Sequence, residues 1–203
     1  MLDKNPNQMF DGNFLQIQNE FTDKSPNFIL SSNPFLKTEF LNKLIEYVNI
    51  PVIFLDFDLL YSGYMNSGII RKNKKLNIYV SSKISLNDDI KDIVKKIETK
   101  QSLVILDSLN GLYNMFNELE NVRFINAAIM LLSSVAEYSK SQIVVTAMTR
   151  KNENDEYILS PTGRHLVQLK NVGFFELGLT EISLVLNLID KNHKIQKSYE
   201  IKR

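Results

Sequence analysis

The chain alternates short runs of apolar, β-branched residues with longer stretches whose apolar positions recur every three or four residues, the pattern of a parallel sheet covered by helices. Asn27–Leu30 reads as a first short strand. After the polar turn SSNPF, Phe40, Leu41, Leu44, Ile45 and Val48 recur at helical spacing, which predicts a helix over Leu36–Val48. Pro51 punctuates, and VIFLDFD at Val52–Asp58 is apolar enough to be a strand buried on both faces. Further strands are predicted at Leu76–Val80, at Leu103–Leu106 ending in Asp107, and at Ile143–Thr146. Between them lie two helices. The first is capped by Asn87 and carries Asp88 and Asp89 at its start and Lys95, Lys96 and Lys100 at its end, the polarity a helix dipole favours. The second spans about Asn121–Ser139, with Phe124, Ala128, Leu131, Leu132 and Val135 expected to face inward. Beyond Arg150 the polar run KNENDE precedes three alternating strands, Val172–Leu177, Ile182–Ile189 and Ile195–Ile201, the last two joined by the hairpin signal DKNHK. The expected fold class is therefore α/β: a mostly parallel sheet with helices on both faces and antiparallel strands at its C-terminal edge, built as a single domain over residues 1–203 with residues 1–25 as an N-terminal extension.

Composition narrows the chemistry. The chain has 203 residues, 44% hydrophobic and 23% charged, with 7 Gly and 5 Pro, which suits one folded domain and excludes disorder. Twenty-four Lys and Arg against 23 Asp and Glu leave a formal charge of +1, so no global field draws in nucleic acid or an anionic membrane, and any such partner needs a local patch. The absence of cysteine excludes disulfides, thiolate catalysis and Cys-based metal sites, and it suits a reducing interior. No secretory leader pattern and no apolar run long enough for a membrane span occur, so the expected location is cytoplasmic, without membrane association.

The most informative segment is SSNPFLKT, Ser31–Thr38, whose spacing is that of a phosphate-binding loop GxxxxGK[ST]. Lys37 and Thr38 stand where such a loop places its phosphate lysine and magnesium hydroxyl. Both glycine positions are replaced, by Ser31 and Leu36, and Pro34 removes an N–H donor. Two readings stay open at this level: an ordinary helix start, or a relic of the loop. Asp107, at the end of LVILD, is either the acidic partner that orders magnesium or a strand-end cap. Asp56 and Asp58, two apart on a strand, would point to one side and suit a metal, with a strand-end role as the alternative. His165 and His193 are far apart and offer no material for a triad or a metal cluster; no metal site and no catalytic residue is assigned.

Taken together, SSNPFLKT, FLDFD, LVILDSLNGLY and IVVTAMTR, in that order, resemble the RecA/RadA recombinase superfamily and its KaiC-like relatives over most of residues 27–170. The resemblance implies a RecA-like domain in which Lys37, Thr38 and Asp107 occupy nucleotide-binding positions and Asp58 the general-base position, where the family usually has Glu. It further implies a mobile DNA-contacting loop at Arg150–Ser160, with Arg150, Lys151 and Arg164 available to a nucleic-acid backbone and Tyr157 to a base. Both loop glycines are missing, and so is a phenylalanine-alanine polymerisation motif, since Phe10 is followed by Asp-Gly-Asn. The expectation is a degenerate paralogue: a pseudo-ATPase that needs no cofactor and keeps at most weak ATP and magnesium binding. It would act as an accessory or scaffold in DNA recombination and repair, as a homo-oligomer or with RecA-like paralogues, and would contact single-stranded DNA or RNA. The alternatives are a ring subunit of an Elongator-type tRNA-modification complex and a residual KaiC-like ATPase.

Overall fold

In a computed structural model of the chain, which describes residues 12–116, 120–153, 157–159 and 171–203, the strands form one sheet. The elements run α1 (Gly12–Asp23), β1 (Asn27–Ser31), α2 (Pro34–Tyr47), β2 (Val52–Asp56), α3 (Leu60–Asn66), β3 (Leu76–Tyr79), α4 (Leu86–Thr99), β4 (Leu103–Asp107), α5 (Leu109–Asn114), α6 (Glu120–Ser139), β5 (Gln142–Lys151), β6 (Tyr157–Leu159), β7 (Gly173–Leu179), β8 (Ser183–Ile189) and β9 (Ile195–Lys202). Strand order is β3-β2-β4-β5-β1-β7-β8-β9, with β6 paired to β5 alone. Strands β1 to β5 and β7 run parallel to one another, and β8 and β9 extend the sheet antiparallel beyond β7 at one edge. The predicted fold class holds.

Strand side chains alternate between faces, and the two cores follow from that. Phe28, Leu30, Ile53, Leu55, Val104, Leu106, Ile143 and Val145 pack beneath α4, α5 and α6. Ile29, Val52, Phe54, Leu103, Ile105, Val144, Phe175 and Leu186 pack beneath α1, α2 and α3. The near-continuous apolar runs in the sequence are explained by burial on both sides.

Several elements differ from expectation for identifiable reasons. Residues 12–23, inside the stretch read as an extension, form α1, whose Phe14, Ile17 and Phe21 are buried in the second core. Its end is tied down by Asn27, fully buried, whose amide donates to the carbonyls of Phe21 (3.0 Å) and Lys24 (2.8 Å). Helix α2 begins two residues early, because Asn33 caps it and Pro34, which has no N–H to lose, fits its first turn. Helix α4 is preceded by Ser85 rather than capped by Asn87; the hydroxyls of Ser82 and Ser85 brace the turn ahead of it. Helices α3 and α5, at 7 and 6 residues, are too short to show a period. Among the described residues of α6 the buried apolar positions are Ile125, Ala128, Ile129, Leu132 and Ala136, whereas Leu131, expected inside, is 49% exposed. Among the described residues no helix is long and apolar enough to cross a membrane.

Candidate functional site

Parallel strands place their carboxyl ends along one edge, where chain reversals leave room for a site. Here β1 ends at Ser31, β2 at Asp56 and β4 at Asp107, and Asp56 and Asp107 are register partners on adjacent strands. Lys37, early in α2, reaches down to this edge. Its Nζ lies 2.5 Å from Asp107 Oδ1 and 2.8 Å from Asp58 Oδ2, and its side chain is completely buried. Asp107 is buried as well, and its Oδ1 also accepts a hydrogen bond from the Thr146 hydroxyl of β5 at 2.5 Å. Asp107 Oδ2 is buried with no partner among the described residues. Burial works against a charge on Lys37, but the carboxylates of Asp107 and Asp58 outweigh it and hold the lysine above its ordinary value.

The loop ahead of Lys37 is filled by its own side chains. Asn33 Oδ1 accepts the N–H groups of Phe35 (2.9 Å) and Leu36 (3.2 Å), the donors a helix start would otherwise present to an anion. Pro34 has none to offer. The Asn33 N–H donates to Ser31 Oγ at 3.2 Å, and the Lys37 N–H to the Asn33 carbonyl at 3.1 Å. The Thr38 hydroxyl donates back to the Pro34 carbonyl at 2.9 Å, and Leu36 is buried.

The structure therefore brings Lys37, Asp58 and Asp107 into one contact and turns Thr38 onto its own helix. It does not place Asp56 and Asp58 side by side. Strand β2 stops at Asp56, whose Oδ2 accepts the Ser62 N–H of α3 at 2.7 Å, while Asp58 lies in the following turn and faces Lys37. No cluster of three or more metal-ligating side chains occurs among the described residues. Nor do Arg150 and Lys151 sit in an open loop: these two exposed residues end β5, paired with Ile158 and Tyr157 of β6. Arg164 lies outside the described residues.

With that order of strands, that edge and those positions in hand, comparison with solved structures decides the fold. A RadB recombinase superposes with a TM-score of 0.57 at 11% identity, covering 86% of this chain and 86% of that one. A second solved structure, an ATPase domain, superposes with a TM-score of 0.56 at 10% identity, covering 93% of this chain and 84% of that one. The chain has the RecA fold. No protein-family model and no curated relative matches its sequence.

Asn110 and Gly111, inside LVILDSLNGLY, and Leu59, just after FLDFD, shape this RecA-fold edge through contacts that those segments do not reveal by themselves. Gly111 of α5 lies so close to the turn after β2 that a Cβ there would meet Asp58 Oδ1 at 2.4 Å and the Phe57 carbonyl carbon at 2.9 Å. Asn110 exchanges two hydrogen bonds with the backbone of Met148, its amide donating to the carbonyl (3.0 Å) and its Oδ1 accepting from the N–H (2.7 Å), where β5 leaves the main sheet. Leu59, next to Asp58, sits in the left-handed region (φ 59, ψ 11) and is 55% exposed. A branched side chain in that region costs about 1 kcal/mol that exposure does not return. Leu59→Gly is expected to raise stability slightly, by roughly 0.5 kcal/mol after the added chain entropy, as read from urea unfolding. A clear loss of stability would mean that the leucine makes packing contacts which offset its backbone.

Proposed function

We propose that this RecA-fold domain is a pseudo-ATPase that works by assembly, as an accessory or scaffold in DNA recombination and repair, and not by turning over nucleotide. The observation that carries the reading is the self-filled loop. The N–H groups that would grip a triphosphate are bound to Asn33, and the lysine that would neutralise it is bound to two carboxylates. Phosphoryl transfer depends on preorganised donors around the phosphates, so a cradle without them forfeits rate before anything else. Holding a triphosphate here would require undoing the cap and separating the lysine from both carboxylates. The exposed Phe35 and Leu59 at this edge favour contact with another protein, since apolar side chains are costly to leave in water. The occupant of that contact is a RecA-like neighbour in this reading, either a second copy or a catalytic relative.

The decisive experiment is thermal unfolding with and without millimolar ATP and magnesium. A ligand present at 100 times its dissociation constant stabilises by about 2.7 kcal/mol, which for a domain of this size raises Tm by roughly 5–10 °C. The expected shift is under about 1 °C, with no phosphate released. A magnesium-dependent shift accompanied by multiple turnovers would reject the reading.

Nucleic acid is the second expected partner, through the exposed end of β5. Neutralising phosphates releases counterions, so removing two contacts from a single strand should flatten the log–log salt dependence by about 1.4. Arg150→Ala with Lys151→Ala is therefore expected to weaken single-stranded DNA binding and lower its salt slope by that amount. An unchanged slope would remove these residues from the interface, and preference for transfer RNA over DNA would favour the Elongator-type alternative.

A further inference from the structure

Helix α6 presents a second surface, independent of the nucleotide edge. From Phe124 to Ala136 its sequence, FINAAIMLLSSVA, holds no charge, although only one side of the helix is buried against the sheet and α4. From Arg123 onward the exposed positions of α6 are Arg123, Ala127, Met130, Leu131, Ser134, Glu137 and Tyr138. At 100° per residue they fall within a sector of about 120°. Met130 is 54% exposed and Tyr138 is 89% exposed. An ordinary solvent face of a helix this long would carry interspersed Lys and Glu; this one is apolar and small in the middle and charged only at its ends.

The order of those residues is self-complementary. Arg123 and Glu137 stand seven residues either side of Met130, and Ala127 and Ser134 three and four residues either side. Among the described residues neither Arg123 nor Glu137 has an ion-pair partner. If the same helix from a second copy is laid antiparallel across this face, Arg123 meets Glu137 of the other copy at both ends, about 10 Å from the centre. Ala127 then faces Ser134, two small side chains that let the helices approach closely. Met130 and Leu131 straddle the axis and meet their own symmetry copies. A parallel arrangement would instead stack Arg123 on Arg123 and Glu137 on Glu137.

We propose that the outer face of α6 pairs with the same face of a second copy of this chain, antiparallel, about a two-fold axis beside Met130. The surface explains why Leu131 points outward. It also differs in kind from a side-by-side contact at the nucleotide edge: the α6 contact is isologous and closes at two copies, and it does not depend on the fate of the loop before Lys37. One helix pair is a small interface, so the association is weak, with a Kd on the order of 10–100 µM.

Sedimentation velocity of the full chain across that range tests it. The wild type is expected to be a dimer at the upper concentrations, and Leu131→Glu, which puts a charge on an exposed position, a folded monomer. Arg123→Glu alone sets Glu against Glu twice, and Glu137→Arg alone sets Arg against Arg twice. Each single variant should associate about 10-fold more weakly or not at all. An equal mixture of the two variants restores both opposite-charge contacts and should regain the dimer. A wild type monomeric at about 200 µM, a dimer indifferent to the exchanges, or a mixture that fails to associate would each overturn the proposal. Variants of Leu59 should leave the α6 dimer unchanged, which separates its failure from that of the edge contact.

Discussion

Lys37→Ala is expected to lower the unfolding free energy by about 3–5 kcal/mol, because it strips the counter-charge from two carboxylates, one of them wholly buried. For a chain of this length that corresponds to a fall in Tm of roughly 6–20 °C, measurable by calorimetry or circular dichroism. The lysine is held above its ordinary value of 10.5, so its stabilisation is complete at neutral pH and is lost only as pH rises through the elevated value. The difference between wild type and variant should narrow as pH falls, because burial already holds the Asp107 carboxyl above its ordinary value and, without Lys37 beside it, that carboxyl takes up a proton more readily in the variant. Lys37→Met combined with Asp58→Asn and Asp107→Asn removes all three charges together and should recover much of the loss, since a buried pair replaced as a unit costs far less than one broken by half. In a working ATPase the same lysine serves the nucleotide, and its loss would cost turnover while leaving the fold standing. Wild-type stability in Lys37→Ala would mean that the lysine is free for a ligand.

Gly111→Ala should be nearly as damaging, at about 3 kcal/mol, although it adds a single methyl group to a short helix. The new Cβ lands on Asp58 Oδ1 and on the Phe57 backbone, and the backbone cannot step aside as a side-chain tip can. Either α5 lifts from the sheet edge or Asp58 swings away from Lys37. A double-mutant cycle with Asp58→Ala separates these: coupling above about 1 kcal/mol places the clash on the carboxylate, and additive effects place it on the backbone. A Tm within about 2 °C of wild type for Gly111→Ala would show that the turn yields, and that Asp58 is not pinned.

These two positions show where reading the residues in order stops. Lys37 was visible because the spacing SSNPFLKT is local, and Asp107 because an apolar run ended on it. Gly111 lies inside LVILDSLNGLY, but its constraint comes from the distant turn that holds Phe57 and Asp58, which the segment by itself does not show. The pairing of Asp56 with Asp58 failed because the strand ends between them, so the alternation rule no longer holds by the second carboxylate. The expected inward set Phe124, Ala128, Leu131, Leu132 and Val135 has helical spacing too, but the stripe that packs on the sheet is rotated toward Ile125, Ile129 and Ala136, which leaves Leu131 outside.

By itself the sequence determined the layered architecture, because doubly buried strands and one-sided helices impose periods that survive without any knowledge of neighbours. It also placed a lysine and threonine at a helix start and an aspartate at a strand end. Only the tertiary structure decided what those groups do. Whether a helix start offers its N–H groups depends on where one asparagine oxygen points, and whether a lysine is free depends on carboxylates brought to it by strands from distant parts of the chain. Periodicity is a property of neighbours in sequence; satisfaction of a charge is a property of neighbours in space, and Lys37 finds its carboxylates at Asp58 and Asp107, far along the chain, while the loop before it is closed by side chains only two to four residues away.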